Sequence, residues 1–190
     1  MALFDKTKLE HQVRKSILLT EDAKYRSFSI FDSAIFYDIF LSHSYKDKDA
    51  VLGLANELKT KYGLKVYIDW VEDKELNRSM IDEKTASILR ERMINCKCLL
   101  YATSENAINS KWMPWEAGLM DGLKGRVAIC PLMGGQDSNF KGQEYLSIYP
   151  YVSIDKVDKT GKDALWVNKE NKYIIFTEWL KGKEPYNHEL

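Results

Sequence analysis

The chain has 190 residues, and its 28 Lys and Arg balance 28 Asp and Glu to a formal net charge of zero. With no basic excess to release counterions from phosphates, neither a nucleic-acid nor a membrane partner is expected. Apolar residues at 45% and charged residues at 29% match a globular protein with one well-buried core, not a disordered or membrane-embedded chain.

In chain order, the opening MALFDKTKLEHQVRK mixes both charge signs and lacks an apolar run of signal-peptide length. No later stretch approaches the roughly 20 apolar residues of a membrane span, so the expected location is the cytoplasm. Residues 1–36 do not follow the pattern of the rest and are predicted to form a helical or irregular N-terminal extension packed on a main domain of residues 37–190. From Tyr37 onward, short apolar runs alternate with stretches of helical period, the pattern of βαβ units around a parallel sheet. A first strand over 37–41 runs into Ser42, His43 and Ser44. Asp47 is then placed to cap a helix whose apolar face is Val51, Leu54, Ala55, Leu58 and Tyr62, and Gly63 stops it. A second strand over 64–68 delivers Asp69 and Trp70 to its C-terminal end.

A charged loop follows through Glu72, Asp73, Lys74, Glu75 and Arg78. Ile81, Thr85, Ile88, Leu89 and Met93 then mark a crossover helix. Strands are predicted over 98–102 and 127–132, with a helix over 110–123 between them. Residues 133–149, with Gly134, Gly135 and Gly142, read as a surface loop, residues 151–154 as a fifth strand, and 174–181 as a closing helix ended by Gly182. Of the three cysteines, Cys96, Cys98 and Cys130, the first two form a C-x-C pair without a nearby His or Cys to complete a tetrahedral set. Reduced core thiols and no metal site are expected.

One charge is misplaced. In the helix over 110–123, Trp112, Trp115, Leu119, Met120 and Leu123 fall on one stripe, and Glu116 sits in its middle, where an ionised carboxylate is costly unless paired or lodged in a site. Such a conflict between pattern and residue marks a candidate functional position. The plainer alternative is a carboxylate favoured near a helix N-terminus, as Pro114 suggests. Trp112 and Trp115 offer flat walls for a ring-bearing ligand. The strand ends, where open parallel sheets bind ligands, carry Ser42, His43, Ser44, Asp69, Trp70, Thr103, Ser104 and Glu105. There is no G-x-G-x-x-G after the first strand and no P-loop sequence, which argues against a dinucleotide dehydrogenase or P-loop enzyme. His43, with no acid partner visible in the sequence, reads as a base or as a hydrogen-bonded structural residue.

YDIFLSHSYKDKD (37–49), LKVYIDW (64–70) and CLLYATSENAINSKWMPWEAG (98–118) resemble, in order and spacing, the signature regions of TIR domains, closest to the stand-alone bacterial kind of anti-phage defence. The resemblance covers roughly 37–155 and implies a flavodoxin-like three-layer α/β domain with a five-stranded parallel sheet. It also implies an NAD+ glycohydrolase or ADP-ribosyl cyclase that cuts the nicotinamide-ribose bond, with NAD+ as substrate and no cofactor. Glu116 falls at the family's catalytic glutamate. Ser42, His43, Ser44, Trp112 and Trp115 fall at nucleotide-bordering positions. Asp69, Trp70 and the residues to Met80 match the BB loop, which in the family gates the site and mediates self-association through TIR-TIR contacts. The charged VEDKELNRS differs from the small, proline-rich loop of animal adaptors. A separate effector that senses the product is a further implied partner. The competing reading is a non-catalytic TIR interaction module, with Glu116 in a packing or capping role.

Overall fold

A computed structural model of the chain describes residues 2–19, 36–73, 83–134, 144–158 and 160–188. Five parallel strands make the centre of one sheet: β2 (Tyr37–Ser42), β3 (Val66–Tyr67), β4 (Cys96–Thr103), β5 (Val127–Met133) and β6 (Tyr151–Lys156), in the order β3-β2-β4-β5-β6. Counted from β2, this is the 2-1-3-4-5 order of flavodoxin-like folds. The expected flavodoxin-like class is therefore observed.

Two helical layers cover the sheet. On one face, α2 (Lys48–Tyr62) and the short α6 (Phe176–Trp179) pack on Ile39, Leu41, Leu100, Ala128 and Cys130. On the other, α4 (Glu83–Ile94) and α5 (Trp112–Lys124) pack on Phe40, Leu99, Tyr101, Val127 and Ile129. Residues of alternating parity thus face opposite layers, as the pleat requires, and because both faces are covered the central strands read as nearly continuous apolar runs. Gly63 ends α2 at φ 68°, a left-handed cap that relieves the last carbonyls without a Cβ penalty.

The sheet continues beyond the five strands. An antiparallel hairpin of β7 (Asp163–Lys169) and β8 (Lys172–Ile175) extends it past β6. Residues 174–181, expected as one helix, instead finish β8 and then make the single turn α6. The two-residue turn between β7 and β8 has Glu170 at φ 55°, the left-handed geometry that tight hairpins need. It lacks the Asn-Gly or Asp-Gly signal that would have announced it.

The N-terminal extension is woven into this frame. β1 (Phe4–Asp5) pairs in parallel with β5, Phe4 opposite Leu132. Ala2 exchanges two backbone hydrogen bonds of 2.8 Å with Ile154 of β6. β5 and β6 pair with each other only at Ile129 and Tyr151, so residues 2–5 occupy the fork beyond that point. The helix α1 (Lys6–Leu19) begins with Asp5 Oδ1 accepting the Lys8 N–H at 3.1 Å, and it packs Leu9 and Val13 against the core that contains α2. This explains why α2 is buried on more than one face: Leu52 and Gly53 join Val51, Leu54, Ala55 and Leu58 in the interior. Each fully buried leucine or valine contributes about 1.5–3 kcal/mol relative to exposure.

Candidate functional site

The strand order reverses at β2, leaving a crevice outside the C-terminal ends of β2 and β4, where ligands of such sheets bind. Glu116 is brought to that crevice by α5, whose buried face is Trp112, Met113, Glu116, Ala117 and Met120. The stripe expected from the sequence is rotated, with Leu123 45% exposed and Met113 and Ala117 buried instead, and Glu116 stays in its middle with no solvent exposure. Its Oε2 accepts a 2.5 Å hydrogen bond from Ser42 Oγ at the end of β2. Two residues 74 apart in sequence therefore meet as a buried hydroxyl-carboxylate pair.

His43 follows at once and is held on both ring nitrogens. Nδ1–H donates to the Leu41 carbonyl at 2.7 Å, and Nε2 accepts the Trp70 indole N–H at 2.8 Å. That pattern assigns the proton to Nδ1 and occupies the Nε2 lone pair, so the ring acts as a spacer that fixes Trp70. Asp69 Oδ1 lies 3.6 Å from Nε2, too far for a hydrogen bond, and both side chains are buried. Asp69 and Trp70 lie in the short helix α3 (Asp69–Glu72), not at a simple strand end, and Trp70 meets Tyr45 edge-on at 5.9 Å. Ser44 is half-buried at the start of a 3-10 turn.

The tryptophans of α5 differ from each other. Trp112 is packed in the core cluster with Ala107, Met113 and Leu146, whereas Trp115 is half-buried under the Arg90 guanidinium, 5.8 Å from its ring centre. The two rings meet edge-on at 5.4 Å.

Asp47 stands at the N-terminus of α2 but its side chain makes no cap there. It reaches across the crevice instead: Oδ2 accepts from Ser104 Oγ at 2.5 Å and Oδ1 from Asn106 Nδ2 at 2.7 Å. The loops after β2 and β4 are thereby tied together. The capping role expected of Asp47 from the sequence is thus replaced by a cross-link between loops.

At the end of α3, Asp73 makes a two-pronged ion pair with Arg92 of α4, both contacts 2.9 Å, and accepts from Tyr67 Oη at 2.5 Å. Burial pushes the Tyr67 phenol well up, reinforced by its Asp73 bond. Burial also raises the Glu72 carboxyl to about 7, against the opposing hydrogen bond from Tyr37 Oη at 3.3 Å. Residues 74–80 of the expected BB loop, Ile81, and Gly135 and Gly142 of the loop after β5 lie outside the described residues.

Cys96, Cys98 and Cys130 are free and buried, and burial raises each thiol. Among the described residues, no group of three or more His, Cys, Asp or Glu side chains is placed to hold a metal ion. No helix among them is long and apolar enough to cross a membrane.

Comparison with known proteins agrees with this architecture. The chain is 43% identical over 174 residues to a protein of Bacillus cereus (strain MSX-D12) named as a probable 3' cyclic ADP-D-ribose synthase, ThsB', covering 90% of this chain and 86% of that protein. It is 31% identical over 95 residues to TIR2 of Cytobacillus dafuensis, provisionally named a cyclic ADP-D-ribose synthase, covering 50% of this chain and 24% of that longer protein. The pattern of the TIR domain family matches residues 39–165, which span β2 to β7 and the whole crevice, and the chain belongs to that family.

Proposed function

We propose that the chain cleaves the nicotinamide-ribose bond of NAD+ and that Glu116 is its catalytic residue. The observation that carries this reading is the buried Ser42-Glu116 pair at the reversal point of the strand order. Ser42 orients the carboxylate, and α5 fixes it through Met113, Ala117 and Met120, all buried. As the glycosidic bond breaks, its electron pair leaves with nicotinamide, and positive charge spreads over the ribose C1 and ring oxygen. A pre-oriented carboxylate in a water-poor site stabilises that charge. The similarity to ThsB' supports cyclisation: the cation is then captured by an oxygen of the same molecule, which loses its proton, instead of by water. Capture by water gives linear ADP-ribose.

Glu116 has no solvent exposure, so NAD+ reaches it only when the groups above it move. This supports a gated enzyme whose site opens on self-association or on a trigger, with the product passed to a separate effector in antiviral defence. The division into an extension of residues 1–36 and a TIR domain of 37–190 belongs to the same reading. The rival, an interaction module in which Glu116 merely packs, also draws on that burial.

Incubation with NAD+ followed by chromatography and mass spectrometry decides between them. Nicotinamide release that falls by at least ~100-fold in Glu116→Gln, with an unchanged melting temperature, supports catalysis. Equal turnover in the variant overturns the role of Glu116, and a product lighter than ADP-ribose by one water identifies the cyclase.

A further inference from the structure

The N-terminal extension ends its two-residue strand at Asp5 and begins α1 with Lys6, which puts one ammonium group beside the crevice. Lys6 Nζ lies 2.7 Å from Asp47 Oδ1 and 2.6 Å from Glu105 Oε1. The Lys6 side chain is 12% exposed and that of Asp47 1%, so this pair is shielded, while Glu105 at 72% is an outer, solvated arm. Asp47 already receives Ser104 and Asn106, and Lys6 supplies the positive charge that the buried carboxylate lacks from those neutral donors. Burial works to lower the Lys6 ammonium, but its bonds to Asp47 and Glu105 outweigh that and hold it above the usual value. Glu105 is held below its usual value, first by the Lys6 bond.

Both loops joined in this way lead to the catalytic pair. The Asp47 N–H donates to the Ser44 carbonyl at 3.0 Å, two residues from Ser42. On the other side, Ser104 to Asn106 lead through a 3-10 turn at Ala107–Asn109 into α5 and Glu116. Lys6 cannot drift away, because β1 is hydrogen-bonded to β5 and Leu9, one helical turn on, is locked against α2.

We infer that Lys6 is a positioning residue of the NAD+ site, clasping the loops after β2 and β4 at the spacing that binds the dinucleotide. The inference rests on the NAD+-cleaving reading of Glu116. Its effect is on substrate binding more than on chemistry, since Glu116 is held separately by Ser42 and the packing of α5.

The test compares steady-state nicotinamide release from NAD+ by the full chain, its Lys6→Met and Lys6→Arg variants, and Glu105→Gln. Lys6→Met is expected to raise KM about tenfold, the scale of one charge-assisted hydrogen bond, with kcat changed less than about threefold. Lys6→Arg restores most of the affinity. A merely structural role lowers the active fraction, so kcat falls at constant KM, and that pattern overturns the proposal, as does a folded Lys6→Met with wild-type kinetics. If Lys6→Met does not fold, Glu105→Gln, which removes only the exposed arm, is expected to raise KM about two- to threefold, and an unchanged KM there overturns the clasp. A wild-type protein that releases no nicotinamide overturns the catalytic reading and the clasp together, whereas an active wild type with indifferent variants overturns the clasp alone.

Discussion

At the scale of single residues, two buried carboxylates sit in contrasting environments. Glu116 is oriented by a hydroxyl at 2.5 Å, whereas Glu72 is opposed by burial and by the neighbouring Asp73 charge and receives only a 3.3 Å bond from Tyr37. A carboxyl raised from 4.5 to about 7 binds its proton more tightly folded than unfolded. Stability therefore declines as pH rises from about 4.5 to about 7, and the full cost, on the order of a few kcal/mol, is present above that window and absent below it. Glu72→Gln should remove this slope: the denaturant midpoint at pH 8 should rise relative to wild type, with little difference at pH 4. An identical pH profile in the two proteins would show that Glu72 is not held in this way. Glu116 was legible because a lone charge interrupts an apolar stripe. The Lys6-Asp47 pair was not, since neither residue is unusual in its local sequence and only the chain reversal brings positions 6 and 47 together.

At the scale of elements, the docking of α1 depends on one missing Cβ. A Cβ built on Gly53 would fall 2.5 Å from the Leu9 carbonyl oxygen and 2.9 Å from its carbon, both backbone atoms that cannot rotate away. Alanine in an exposed helix interior is worth about 1 kcal/mol over glycine, but here the overlap reverses the sign, and Gly53→Ala is expected to destabilise by about 1–3 kcal/mol in denaturant titration. A stabilised variant would mean that α1 does not lie there in solution. The βα units from β2 to β5 were legible because their apolar runs and helical periods alternate cleanly. β1, β7 and β8 were not: β1 is two residues long, and the β7-β8 turn takes its left-handed residue from Glu170 instead of glycine. The periodicity of α2 was read correctly at Val51, Leu54, Ala55 and Leu58 but could not reveal that Leu52 and Gly53 are covered as well, because the cover comes from a distant segment.

At the scale of the whole molecule, the catalytic role proposed for Glu116 requires that its full coverage be relieved when NAD+ binds, so the proposal carries with it a resting form that is largely closed. Where association between copies favours the open form, turnover per subunit should rise with protein concentration or crowding, read as nicotinamide released per minute per subunit across a dilution series. A flat series would contradict activation by association. Fold class was the most legible property of this protein, because three strand-end motifs in order constrain topology more strongly than any one element boundary.

The borders of the sheet carry a consequence for how copies can meet. One border is β3, only two paired residues long, and the other is β8, where Tyr173 bridges Tyr186 and stacks on His188 at 4.0 Å. Among the described residues, neither border offers a long unsatisfied row of amides to a neighbouring chain, so association by adding strand to strand is discouraged, as it is in proteins that must stay dispersed at high concentration. Any meeting of copies that the proposed activation requires would then use other surfaces than these borders, without templating the irreversible cross-β stacking that a bare sheet edge invites.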